Sequence, residues 1–152
     1  MKDAVRVVLD TNVLLSLFVF ADSRYALLRE RLVAGGLLAL TDTRCLCEYR
    51  RVLAYPMFSL NAAAQAAAFD TYAQLATIIA PATGERVALP ECKDADDQKF
   101  LEVARDGRAD WLLTSDKALL KLARRRRLAH LFRILTPEQV LETEVARLAP
   151  GA

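Results

Sequence analysis

The chain has 152 residues, of which 54% are hydrophobic, enough for a folded domain with a real core and too apolar for a disordered segment. Twenty-one Lys and Arg against 19 Asp and Glu leave a formal charge of only +2, so any nucleic-acid role must come from a local site and not from the field of the whole molecule. Cys45, Cys47, Cys92 and the single His130 lack the paired spacing of a structural zinc site, and unpaired cysteines point to a reducing, cytoplasmic setting.

Val5 to Leu9 is valine-rich, broken only by Arg6 and ended by Asp10, as suits a central strand covered on both faces. Asn12 to Phe20 reads as a helix by length and leucine content. Its apolar run, Val13 to Ala21, is far short of the ~20 residues that span a bilayer, so no membrane segment is expected. A secretory leader is not expected either, because Asp3 and Asp10 interrupt where one would lie. Ser23 can cap a second helix through Ala34, ended by Gly35-Gly36 before a strand at Leu37 to Leu40. A third helix starts at Thr41, Asp42 or Thr43 and stops before Pro56. Asn61 can cap a fourth reaching Ile79, which makes the two a helical hairpin.

A loop with Pro81, Gly84 and Pro90 leads to the acidic stretch KDADD, then a helix from Asp97 to Arg105 with Gly107 behind it. Trp111 to Leu113 is a strand, TSDKALLKLARRRR is helical by its apolar spacing, Phe132 to Leu135 is a last strand, and Thr136-Pro137 opens a final helix. Strands alternating with helices predict one domain over residues 1–152, α/β in class, with three layers about a parallel sheet. In such sheets ligands bind outside the carboxyl ends of the strands.

Four acids stand where that rule points. Asp10 and Asp116 each follow an apolar strand and precede a helix, where helix capping is an alternative explanation for both. Asp97 shares a helical stripe with Phe100, Leu101 and Ala104 and should face the sheet. Glu48 lies at the margin of the stripe Cys45, Leu46, Tyr49, Val52 and Leu53, and an exposed pair with Arg44 or Arg51 is the alternative for it. Asp94 and Asp96, just before a helix, are favoured there by its dipole alone. If the four converge, their carboxylates repel one another, and a divalent cation relieves that cost. An oxygen-only donor set suits Mg2+ or Mn2+.

The segments VVLDTNVLLS, CEYRRVLAYPMF, DADDQKFLEVARDGRADWLLTSDKALL and ILTPEQVL, in this order, resemble PIN domains over nearly the whole chain. In particular they resemble the single-domain toxins of bacterial toxin-antitoxin pairs, VapC-like ribonucleases. The resemblance implies a PIN-like, Rossmann-like α/β/α fold with a helical hairpin insertion and an acid cluster binding one or two divalent metals. It further implies cleavage of an RNA substrate to 5′-phosphate and 3′-hydroxyl ends. It carries the acids over to Asp10, Glu48, Asp97 and Asp116, of which Asp10 and Asp97 are the expected direct ligands. Thr11, Asn12, Asp94 and Thr114 are expected in support, with Ala95 where a proline is common. Arg50, Arg51, Arg124 and Arg125 are candidate RNA contacts. A homodimer and an antitoxin protein are the partners implied.

Other readings remain open: a PIN-fold RNA-processing nuclease outside toxin-antitoxin systems, or a non-catalytic RNA- or protein-binding module. An aspartyl phosphatase is disfavoured because Asn12 stands where its second acid belongs. No histidine or lysine is recognisable as half of a metal-free acid-base pair, and His130 reads as a solvated helix-end residue.

Overall fold

A computed structural model describes residues 4–81, 83–125, 128 and 130–144. Five strands, β1 (Val5–Leu9), β2 (Leu37–Thr41), β3 (Thr77–Ile78), β4 (Trp111–Leu113) and β5 (Arg133–Leu135), form one sheet in the order β3-β2-β1-β4-β5. Every pair is parallel. The helices are α1 (Thr11–Phe18), α2 (Ala26–Ala34), α3 (Thr43–Leu53), α4 (Ala62–Leu75), α5 (Gln98–Asp106), α6 (Lys117–Lys121) and α7 (Pro137–Gln139).

Alternation along the strands divides the interior into two cores. Val5, Val7 and Leu9 join Trp111 and Leu113 on one face, under α1, α2 and the α3–α4 hairpin. Val8, Leu40 and Leu112 pack on the other against Phe100, Leu101 and Ala104 of α5 and Leu119 of α6. Apolar burial on both faces is what makes β1 read as a continuous hydrophobic run. Its one interruption, Arg6, is explained by α5: the guanidinium donates to the Gly107 carbonyl at 2.7 and 3.1 Å, satisfying the helix C-terminus.

Several boundaries differ from the sequence expectation. Asp22, not Ser23, accepts the first-turn amide of a 3-10 turn at Ser23–Tyr25, and α2 begins only at Ala26. The fourth helix stops at Leu75 and the chain turns extended, so Thr77–Ile78 becomes the sheet edge instead of helix. The stripe Phe69, Tyr72 and Ala76 faces the core: Tyr72 is buried in an edge-on ring contact with Tyr49, and the partly buried Phe69 stacks on Tyr49. The helix after Asp116 is short, passing into a 3-10 turn at Leu122–Arg124. Arg126 and Arg127 lie outside the described residues. No helix of the described residues is long and apolar enough to cross a membrane.

The topology fixes where a ligand can go. After β1 the chain moves to β2 on one side and later returns to β4 on the other, so a crevice opens at the carboxyl ends of β1 and β4. Leu9 is in register with Leu113, which sets Asp10 beside Thr114.

Candidate active site

That crevice is a cleft of about 380 Å³ lined by Asp10, Thr11, Asn12, Glu48, Asp94, Asp97 and Asp116 together with Val52, Tyr55, Met57, Phe58 and Phe100. All four predicted acids and three of the four supporting residues therefore face one space. The fourth, Thr114, lies directly behind it.

Asp10 ends β1 and caps α1, accepting from the Val13 amide at 3.0 Å. Its other carboxylate oxygen accepts from the Thr114 hydroxyl, which in turn accepts from the Asp116 amide at 3.0 Å. Only 5% of Asp10 is exposed. Burial raises its pKa, opposed by the Thr114 and Val13 hydrogen bonds and assisted by the Asp116 charge. Asp116 caps α6 through the Ala118 amide at 2.7 Å. Capping, offered by the sequence as an alternative to a functional role, is thus real at both strand ends, and it occupies one oxygen of each carboxylate.

For Glu48 the alternative of an exposed ion pair is the reading that fails. Glu48 pairs with neither Arg44 nor Arg51: Arg44 bridges Asp42 and Glu102, and Arg51 is drawn toward Tyr55. Glu48 instead turns inward, with Oε1 accepting from Lys99 Nζ at 2.8 Å and Oε2 from the Thr11 hydroxyl. Lys99 has no counterpart among the site residues expected from the sequence. A signal was available, because a lysine in the first turn of a helix opposes the dipole and calls for a nearby anion.

Asp97 ends a 3-10 turn at Ala95–Asp97 and is the N-cap residue of α5, which begins at Gln98, one residue later than the sequence expectation. Asp94 is exposed and caps that turn through the Asp96 amide at 2.9 Å. The loop before it is tied down by Gln98, which accepts from the Cys92 amide at 2.8 Å and donates to the Pro90 carbonyl at 3.0 Å. Among the described residues, no donor hydrogen-bonds the Asp97 carboxylate. Burial first, then the charges of Asp116, Asp94, Asp10 and Glu48, push its pKa up to about 6.

The candidate RNA contacts separate. Arg50 lies over the Phe69 ring at 4.1 Å, on the hairpin and outside the cleft lining. Arg51 is near enough to feel the Glu48 and Asp96 charges at the cleft rim. Arg124 and Arg125 are exposed and do not line the cleft, nor does His130. The three cysteines are free, with burial raising the Cys45 thiol.

Whether these residues suit a divalent cation can be judged from their donors. Among the described residues no group of three or more Asp, Glu, His or Cys is arranged to hold a metal ion as it stands, and Asp10, Glu48, Asp94 and Asp116 each accept from donors of the chain itself. The chemistry nevertheless fits: the donors are all oxygen, they share a cleft, and one of them carries repulsion that nothing in the described protein relieves.

A parallel α/β domain with carboxylates gathered at its topological switch point defines a class of acid-cleft proteins suited to metal-assisted chemistry. Within that class the assignment is specific: a profile of the PIN domain matches residues 6–118, and the chain belongs to the PIN-domain family, whose members are generally nucleases and typically use divalent metal ions. No curated protein and no solved structure matches the chain.

Proposed function

We propose that the protein is a metal-dependent endoribonuclease that hydrolyses RNA phosphodiester bonds in the cleft between β1 and β4. The observation that carries this is Asp97, a partly buried carboxylate without a donor among the described residues, raised to about 6 by burial and four neighbouring acids. Such repulsion destabilises the fold unless a cation enters, and oxygen donors favour magnesium or manganese. Asp10 and Asp97 would hold the ion directly, with Glu48 and Asp116 binding directly or through water. A divalent ion bound there supplies the acidification of water and the positive charge that phosphodiester hydrolysis needs.

The rest is done by the chain. Thr114 fixes the rotamer of Asp10, and Thr11 with Lys99 fixes that of Glu48, so the carboxylates that orient a water are held before substrate arrives. Val52, Tyr55, Met57 and Phe58 also line the cleft, and Tyr55 and Met57 are exposed. Their apolar faces suit unpaired bases, which favours single-stranded over duplex RNA. Arg51 at the rim suits a flanking phosphate.

The narrower reading is the toxin of a type II toxin-antitoxin pair, acting as a homodimer and restrained by an antitoxin that inserts a segment near the acids. It rests on the VapC-like motifs, and a small open reading frame beside the gene, encoding a protein that binds this chain, is its test. For the nuclease itself the test is cleavage of an end-labelled, unstructured RNA. Wild type should cut with Mn2+ or Mg2+ and stop in EDTA, and Asp10→Asn should not cut. Cleavage unaffected by EDTA, or an Asp10→Asn variant as fast as its parent, contradicts the proposal.

A further inference from the structure

One cation stands directly behind an acid of the cleft. The Lys99 side chain is only 13% exposed, although it belongs to the first turn of α5, where unpaired N–H groups disfavour positive charge. Its ammonium is held by partners: Glu48 Oε1 at 2.8 Å, the Asp96 carbonyl, and the Phe100 ring, whose centroid is 4.9 Å away. Because Thr11 donates to Glu48 Oε2, both oxygens of Glu48 are engaged by this chain. Lys99 stands behind Glu48 and is not among the residues lining the cleft.

The first turn of α5 therefore divides the cleft electrostatically. Glu48 is paired with a fixed ammonium. Asp97 has no donor among the described residues and is loaded with the charges of Asp116, Asp94 and Asp10, and least with that of Glu48. An ion entering from solvent finds unrelieved negative charge at Asp97 and a compensated carboxylate at Glu48.

Building on the reading of this cleft as a divalent-metal site, we propose that Lys99 takes the place of a second metal ion, so that the protein binds a single divalent cation, on the Asp97 side. A further dication ligated by Glu48 would lie close to the ammonium, with twice the repulsion of two monovalent charges at the same distance. It would also have to displace Lys99 from two acceptors in a mostly buried position, where an unpaired charge is costly. Glu48 consequently acts through water and does not bind an ion of its own. Lys99 is a positioning residue: it works by fixing and neutralising Glu48 and does not reach the cleft itself.

The test is metal stoichiometry, measured on the full chain without RNA by titrating Mn2+ and reading free Mn2+ from its electron paramagnetic resonance signal. Wild type should bind one Mn2+ per chain. Lys99→Arg, which keeps the charge, should also bind one, and Lys99→Met, which keeps the stem and removes the charge, should bind two. Circular-dichroism melting establishes that each variant is folded, and Lys99→Gln replaces the methionine variant if that one does not fold. Two Mn2+ in wild type, or one in the uncharged variant, overturns the inference and leaves the nuclease reading standing. No bound Mn2+ in wild type overturns both.

Discussion

Replacing Asp97 with asparagine should make the metal-free protein more stable, and the gain should depend on pH. The folded pKa near 6 lies above the ordinary 3.8, so between these values the native state keeps a proton that the unfolded chain has released. Stability in wild type therefore falls as pH rises through this window and is fully reduced above it. Two pK units correspond to about 3 kcal/mol at most, and solvent screening of a partly exposed group lowers this to about 1–2 kcal/mol. The Asp97→Asn variant loses no hydrogen bond found among the described residues, but it forgoes about 0.3–1 kcal/mol of carboxylate interaction with the α5 N-terminus. The net gain is then on the order of 1 kcal/mol, or roughly 2–4 °C in Tm for a chain of this length. Thermal melts in EDTA should show the variant above wild type at pH ~7.5, converging near pH ~4. Divalent metal should reverse the order by stabilising only the wild type. A variant that melts below wild type at neutral pH, or a difference that does not change with pH, refutes the account of Asp97 as a repelled carboxylate.

Asp10→Asn should retain the fold, because its Oδ1 can still cap α1 through the Val13 amide and its Nδ2 can donate to the Thr114 hydroxyl, yet lose metal-dependent cleavage; circular dichroism and the RNA assay together check this. Thr114→Val keeps the side-chain shape but strips Asp10 of its hydroxyl donor and the Asp116 amide of its acceptor. In urea unfolding it should cost about 1–3 kcal/mol. Gly107→Ala puts a Cβ 2.9 Å from the Val103 carbonyl oxygen and 3.0 Å from Leu40 Cδ1. The carbonyl belongs to the last turn of α5 and cannot retreat, so a loss of about 1–3 kcal/mol is expected in the same experiment.

Much of this architecture was legible because its signals are local. Valine-rich β1, the leucines of α1 and the caps at Asp42 and Asn61 are chosen by residues a few positions apart, and the repeated pattern of apolar strand, acid and helix marked the carboxyl rim of the sheet. The features that no local pattern encodes are tertiary. The extended turn at Thr77–Ile78 is too short to carry a period of its own and exists because β2 offers an edge, with Leu40 and Thr41 in register. The partner of Glu48 could not be read by counting along α3, since Lys99 is 51 residues away. The arginines nearby in sequence were the wrong cations. Arg50 meets an aromatic ring and Arg44 other acids, both on surfaces that exist only once α3 has packed.

The most direct test of the central claim, that acids from four parts of the chain surround one divalent ion, is paramagnetic broadening of backbone amide resonances by substoichiometric Mn2+. Signals from Thr11 to Val13, Glu48, Asp97 to Gln98 and Thr114 to Lys117 should broaden together at the lowest additions, while that of Gly36, at the amino end of β2, persists. Broadening confined to one segment, or centred on exposed acids such as Asp70 or Glu30, would mean that the cleft does not gather the ion and that the carboxylates are caps and ion pairs only.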